Sequence, residues 1–182
     1  MKRGSNFSIL TKENVKELYE LLNEELVKLT STETLYVVGG VVMCELGCRE
    51  STRDVDAYYK NKELVEEATR KIVSRLGKSY DLINDDVVPF LAIEGSYSVH
   101  LKMSNLKVMY ATTDYLFALK CKSCRVDSND IKDLIFLVNA LGIKDQKSAS
   151  EIIEKYFDLD TISILYKDIL EDIWSGTAQY YL

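Results

Sequence analysis

The sequence predicts an α+β fold, in which a mixed β-sheet flanked by helices is followed by a C-terminal helical region. Short β-rich runs alternate with amphipathic helical runs as far as residue 111. Beyond that point every segment has apolar residues at helical spacing. We therefore divide the chain into an α/β core over 1–111 and a helical region over 112–182 that packs on the core.

The individual elements follow from spacing and from capping residues. Thr11 can cap a helix over 11–30, and Asn61 can cap one over 61–76. Ser148 and Glu151 suit a capping box for a helix over 148–157. The other predicted elements are strands over 34–38, 54–59, 97–103 and 106–110, a helical stretch after Gly39-Gly40 that ends near Gly47, and helices over 113–124, 128–141 and 161–174.

Length and charge limit the class of protein. The chain has 182 residues, one proline and a net charge of −6. No run approaches the roughly 18 apolar residues of a membrane span, and the N-terminus lacks a signal-peptide pattern, so a cytoplasmic location without membrane contact is expected. DNA binding is not expected, because a broad basic surface is missing. A local basic patch would have to come from Arg49, Arg53, Lys120, Lys122 and Arg125.

Two cysteine pairs raise the question of zinc. Cys44 and Cys48 have C-x₃-C spacing, and Cys121 and Cys124 have C-x₂-C spacing. Both pairs fall in segments that read as helix, whereas zinc sites usually place such pairs on tight turns. Buried core thiols are therefore the favoured interpretation, with zinc as the alternative.

The segment most suggestive of chemistry is the alternating run DVDAYY. Asp54, Asp56 and Tyr58 point to one face of a strand, and the residues between them point to the other. Two carboxylates on one face can share Mg²⁺ with a substrate phosphate, because Mg²⁺ prefers oxygen ligands. The alternative is a solvated strand face that carries two acids by chance.

Upstream, Gly39 and Gly40 stand where a strand ends and a helix begins. Without a Cβ, the backbone there can approach a phosphate closely. A plain tight turn is the alternative interpretation. The glycine pair and the two aspartates together are more specific than either alone.

The stretch VVGGVVMCELGCRESTRDVDAYY resembles the polymerase-β-like nucleotidyltransferases, in particular the bacterial group related to abortive-infection and type IV toxin systems. Two later segments, DLINDDV and YLFALKCKSCRVDSNDIKDL, are similar to further motifs of that group, and they occur in the same order. Together the three segments cover about residues 35–142. The resemblance implies a nucleotidyltransferase-like core that transfers a nucleoside monophosphate from an NTP to a hydroxyl group.

The resemblance also implies roles for single residues. Mg²⁺ would be held by Asp54 and Asp56. The nucleotide would be bound by Gly39, Gly40, Thr52, Arg53 and Lys120, with Asp133 assisting catalysis and Arg125 and Asp130 matching the same helical motif. Lys120 is expected to face the two aspartates across a cleft. The alternatives are a surface lysine at 120 and ordinary first-turn acids at Asp130 and Asp133.

The acceptor and the partners stay open at this stage. RNA such as tRNA, a protein or a small molecule could supply the hydroxyl, and the toxin relationship implies a cognate antitoxin. The related proteins commonly carry a third carboxylate on a later strand, but the hairpin strands here contain no acid. The nearest candidates are Asp85, Asp86 and Glu94. A catalytically inactive nucleotide-binding or protein-interaction module is therefore the alternative function.

Overall fold

The computed structural model describes residues 9–76, 82–123, 129–162 and 164–177. Within these ranges the chain forms seven α-helices and five β-strands, which confirms the predicted α+β class with helices at its C-terminal end. The helices are α1 (Lys12–Lys28), α2 (Gly39–Glu45), α3 (Lys62–Leu76), α4 (Thr113–Ser123), α5 (Asp130–Leu141), α6 (Gln146–Ile153) and α7 (Leu165–Ser175). The strands are β1 (Glu33–Val37), β2 (Val55–Tyr58), β3 (Ile83–Asn84), β4 (Tyr97–Lys102) and β5 (Leu106–Ala111).

The strands form one mixed sheet in the order β3-β2-β1-β5-β4. Strand β1 pairs antiparallel with β2 and parallel with β5, and β2 pairs parallel with β3. Strands β4 and β5 form the predicted hairpin. Strand β3 was not predicted, because two residues are too few to show a period. Its position beside β2 brings a new side chain next to the two aspartates.

The two faces of the sheet differ in exposure. The buried face is apolar, and its centre is formed by Leu35, Val37, Val55, Ala57 and Val108. The other face, which we call the open face, is half-exposed or exposed at Tyr36, Asp56, Tyr58, Asn84 and Met109. Alternation along each strand produces this division, since successive side chains point to opposite faces. Polar and aromatic groups are thus collected on one side of the sheet.

Contacts divide the chain into two compact units. The first unit comprises Met1–Pro89 and Tyr97–Ala111, and the second comprises Phe90–Ser96 and Thr112–Leu182. In the first unit, α1 packs on α2, α3 and β5. In the second, α4 packs on α5 and α6, and α7 packs on α5 and α6. Residues 90–96 therefore belong with the C-terminal helices, although they precede the hairpin in the sequence.

Most helix ends lie where the capping residues place them. The Thr11 side chain accepts a hydrogen bond from the amide of Asn14, and the Asn61 side chain accepts one from the amide of Leu64. Gly142 ends α5 in the left-handed conformation, with φ +65°. Among the described residues, no helix is long and apolar enough to cross a membrane.

The predicted start of α6 is wrong. The helix begins at Gln146 rather than at Ser148, because Asp145 is its N-cap. The Asp145 carboxylate accepts a hydrogen bond of 2.8 Å from the Ser148 amide, and Ser148 is the third helical residue. Aspartate caps a helix as well as serine does, so the earlier of the two residues takes this position. The helix also ends at Ile153, before the predicted end at 157.

Candidate functional site

Asp54 and Asp56 occupy the start of β2, with Asp54 directly before the strand. Exposure alternates along the segment: Val55, Ala57 and Tyr59 are buried, whereas Asp54 and Asp56 are half-buried and Tyr58 is exposed. The predicted alternation is therefore present. The rise of a strand puts the two aspartate Cα atoms about 6.6 Å apart. Two carboxylates thus emerge side by side from the less buried side of β2.

Asp54 has a polar neighbour that sequence reasoning missed. The Asn84 side-chain amide donates a hydrogen bond of 3.4 Å to Oδ2 of Asp54, and Asn84 lies opposite Asp56 in the parallel register. Partial burial raises the pKa of the Asp54 carboxyl, and the bond from Asn84 opposes this shift. The nearby negative charge of Asp86 raises the same pKa further.

Gly39 begins α2 and lies against the second aspartate. Its φ is +66°, a conformation that favours glycine, and a Cβ on it would lie 2.7 Å from Oδ2 of Asp56. Both features require glycine here. The close approach brings the Asp56 carboxylate to the first residue of α2. The predicted neighbourhood of the glycine pair and the D-x-D run is therefore present in the structure.

Gly40 lies against Thr52. A Cβ added to Gly40 would overlap the Thr52 hydroxyl and would lie 2.8 Å from the Thr52 Cβ. Thr52 is itself fixed by two backbone hydrogen bonds with Leu10, of 2.7 and 2.9 Å. Arg49 is also close to this point, whereas Arg53 is exposed. The structure thus brings Gly39, Gly40 and Thr52 to one end of α2.

Replacement of Gly40 by alanine should therefore destabilise the first unit by about 1–3 kcal/mol, because the added methyl group must displace Thr52. The sequence predicts that valine at this position damages nucleotide binding more than alanine does; the structure leaves no room for the Cβ that both residues carry. Urea unfolding of Gly40→Ala, Thr52→Ala and the double variant measures the effect. Thr52→Ala should recover part of the loss in the Gly40→Ala background. Equal stability of Gly40→Ala and the wild type would contradict this packing.

The acids that could complete a metal site lie just beyond β3. Asp85 and Asp86 follow Asn84, and both Asp85 oxygens accept hydrogen bonds of 2.8 Å from Lys62. Glu94 lies in the second unit. In the described ranges, no group of three or more histidine, cysteine, aspartate or glutamate side chains is arranged to hold a metal ion. The position on β3 opposite Asp56 carries the neutral Asn84 instead of a third carboxylate.

Three tyrosines form an aromatic cluster on the sheet of the first unit, and one of them, Tyr58, lies two residues after Asp56. Tyr58 is 42% exposed, and its ring centroid lies 5.9 Å from that of Tyr36 on β1. The Tyr36 ring in turn lies 5.1 Å from that of Tyr97, edge to face. Tyr59, the residue that follows Tyr58 along the chain, is buried instead. Half-exposed aromatic rings of this kind can stack on a planar ligand.

The helical motif forms a buried ion cluster inside the second unit. The Lys120 ammonium lies 2.6 Å from Asp130 and 2.8 Å from Asp133, and the Asp133 side chain is fully buried. Lys120 has its own carboxylate partners there, rather than a surface position. Its neighbour Lys122 lies over the Phe157 ring, 4.2 Å from the ring centroid. That Lys120 faces Asp54 and Asp56 across a cleft stays a prediction.

Three of the cysteines and the one histidine of the chain lie in packed or partly packed surroundings. Cys44 and Cys121 are buried, as favoured, and Cys48 is half-buried. His100 stacks on the ring of Tyr110 at a centroid distance of 3.8 Å, and partial burial lowers its pKa. Cys124, Arg125, Tyr180 and Tyr181 lie outside the described residues.

No family model fits the chain, and a search of the curated proteins finds no similar sequence. The geometry of Asp54, Asp56, Asn84 and the glycine pair is therefore the basis for a functional proposal.

Proposed function

We propose that the protein is a Mg²⁺-dependent nucleotidyltransferase. The observation that supports this most directly is the pair of half-buried carboxylates, Asp54 and Asp56, beside the glycine pair that begins α2. Their carboxylate oxygens are the donors that Mg²⁺ prefers, so the residues fit this ion. When bound, Mg²⁺ offsets the negative charge that develops on the transferred phosphate.

In the proposed reaction, a hydroxyl oxygen of the acceptor attacks the α-phosphorus of a nucleoside triphosphate. A new P–O bond forms as the bond to the pyrophosphate oxygen breaks, and pyrophosphate leaves. The hydroxyl proton passes to a carboxylate. The chain otherwise contributes positioning and charge stabilisation.

The triphosphate would lie on the Asp56 side, near the first residues of α2, although the space that a Cβ would occupy at Gly39 and Gly40 is filled by Asp56 and Thr52. The half-exposed tyrosines Tyr36 and Tyr58 are candidates to stack on the base. Thr52 and Arg53 adjoin the same region, with Arg53 exposed to solvent. Lys120 as a phosphate ligand and Asp133 as a catalytic residue remain proposals that rest on the family resemblance alone, as do a tRNA acceptor and an antitoxin partner.

Asn84 favours a second candidate function. An amide in the register position opposite Asp56 carries no charge, whereas a third carboxylate there would add a metal ligand. A protein of this kind could bind an NTP with Mg²⁺ and not transfer it. The alternative is therefore a nucleotide-binding module without catalytic activity.

One experiment separates the two functions. The purified protein is incubated with each of the four NTPs and Mg²⁺, and NTP binding and pyrophosphate release are measured in parallel. Nucleotidyl transfer predicts both, with release abolished by a chelator. Binding without release supports the module, and neither binding nor release contradicts both functions.

A further inference from the structure

A cavity of about 300 Å³ lies within the first unit, between helices α1 and α2 and the hairpin of β4 and β5. Tyr110 of β5 lines it, and the residue before Tyr110 is Met109, which belongs to the open face. Successive side chains of a strand point to opposite faces, so the cavity lies on the other side of the sheet from Asp56. Its volume is at the lower end of the range of about 300–1,000 Å³ that small-molecule sites occupy, which suits a compound of one or two rings.

The walls of this cavity are apolar and aromatic. Val15 on α1, Val41 on α2 and Leu101 on β4 line it, together with the rings of Tyr19 and Tyr110. The two tyrosine hydroxyl oxygens lie 3.4 Å apart. Burial keeps the pKa of Tyr19 well above its usual value and raises the pKa of Tyr110 to about 12, so both phenols are neutral at pH 7. The interior therefore favours an apolar ring and disfavours a charged group.

The charged side chains that line the cavity differ in whether they have partners. The Lys12 ammonium lies 3.8 Å from Oε1 of Glu45 and donates a hydrogen bond of 2.8 Å to the Glu45 carbonyl oxygen. Glu13 accepts a hydrogen bond of 2.8 Å from the Thr11 hydroxyl. Lys16, about one turn further along α1, is exposed and makes no ion pair with any residue that the structure describes. This cation favours an anionic group at the edge of the cavity.

His100 adds a hydrogen-bond donor to the same cavity. Its ring stacks on that of Tyr110, and partial burial lowers its pKa, so the imidazole is neutral at pH 7. A neutral imidazole carries one N–H donor, and within the described ranges no side chain or backbone group bonds to the ring nitrogens of His100. An oxygen of an anionic group is a suitable acceptor for this N–H.

We propose that this cavity binds a small aromatic carboxylate. The ring of the ligand lies among Val15, Val41 and Leu101. Its carboxylate lies at the edge, where the Lys16 ammonium offsets its charge and His100 donates a hydrogen bond to it. This site goes beyond the proposed nucleotidyl transfer and does not depend on it, because the cavity and Asp56 lie on opposite sides of the sheet.

The test uses three compounds that share an indole ring and differ in charge: indole-3-acetate is an anion, tryptophol is neutral and tryptamine is a cation. Their affinities for the full chain are measured by calorimetry at low ionic strength, without NTP. Indole-3-acetate should bind about threefold more tightly than tryptophol, which is the effect of one exposed ion pair, and tryptamine should bind most weakly. No binding of any of the three overturns the proposal, as does binding of tryptophol or tryptamine as tight as that of indole-3-acetate.

A lysine variant identifies the cation. Lys16→Gln should remove the advantage of indole-3-acetate over tryptophol and leave the affinity for tryptophol unchanged. Lys71→Gln is the matched control, because Lys71 is an exposed lysine on α3 that pairs with Glu67 at 2.7 Å and does not line the cavity. It should keep the wild-type preference. A wild-type preference in Lys16→Gln would overturn the assignment of the carboxylate to this lysine.

NMR locates the ring. Nuclear Overhauser effects should connect the indole protons of bound indole-3-acetate with the methyl groups of Val15, Val41 and Leu101, which line the cavity. The methyl groups of Leu137 and Val138, which are buried in the second unit, should show none. Contacts of the indole ring with methyl groups away from the cavity only would overturn the proposal.

Discussion

Asp54→Asn and Asp56→Asn should each lower the rate of Mg²⁺-dependent nucleotide transfer by at least about a hundredfold. Each change removes a charged oxygen ligand of the metal, and asparagine offers only a neutral amide oxygen in its place. The fold should persist, because asparagine has nearly the same shape. For Asp54 the stability at neutral pH should not fall, since burial disfavours the ionised carboxylate in the folded state.

Pyrophosphate release and circular dichroism, measured on the same preparations, check this result. Asp160→Asn is the matched control, because Asp160 is an exposed acid in the second unit. It should keep the wild-type rate. A wild-type rate in the Asp54→Asn/Asp56→Asn double variant would show that the aspartates do not hold the metal. A large fall in melting temperature would instead indicate that they serve the structure.

Lys120→Ala should lower the free energy of unfolding of the second unit by about 3–5 kcal/mol. The change removes the cation that lies 2.6 Å from Asp130 and 2.8 Å from the fully buried Asp133. Breaking a buried ion pair from one side leaves a carboxylate in a medium that solvates charge poorly. The only tryptophan of the chain, Trp174, lies in this unit and donates a hydrogen bond to the carbonyl of Ile143. Its fluorescence during urea unfolding reports the effect.

Lys147→Ala is the control for this measurement. Lys147 is 85% exposed on α6 and pairs with Glu151 at 3.9 Å, so its loss should cost no more than about 0.5 kcal/mol. A loss below about 1 kcal/mol in Lys120→Ala would contradict a structural role for the cluster. NTP affinity, measured where Lys120→Ala is still folded, addresses the other role: a phosphate ligand predicts weaker binding of the triphosphate than of the nucleoside.

The elements that could be predicted from the sequence are those in which apolar residues recur at regular spacing, or which begin after a residue that can cap a helix. The alternation at Asp54, Val55 and Asp56 was visible because one face of β2 is buried and the other is not. Thr11 and Asn61 fixed the starts of α1 and α3 through bonds to amides three residues ahead. The order of strand, glycine pair, helix and D-x-D strand indicated that the glycines and the aspartates act together, and in the structure Gly39 lies against Asp56.

The rest depended on pairings between distant segments. Asn84 reaches the site only because β3 pairs with β2, and a two-residue strand leaves no pattern in the sequence. The ion pairs of Lys120 depend on how α4 packs on α5. The start of α6 was mispredicted for a different reason. Asp145 and Ser148 are both good N-cap residues, they lie within four residues of each other, and Asp145 is the one that caps the helix.

The most direct test of the metal assignment is paramagnetic line broadening by Mn²⁺, which replaces Mg²⁺, in NMR spectra recorded with a non-hydrolysable NTP. The amide signals of Gly39, of β2 and of Asn84 should broaden at the lowest Mn²⁺ concentrations, because these residues surround the two carboxylates. In the Asp54→Asn/Asp56→Asn variant this selective broadening should disappear. Broadening centred elsewhere in the chain, or unchanged broadening in the double variant, would contradict a metal site at Asp54 and Asp56.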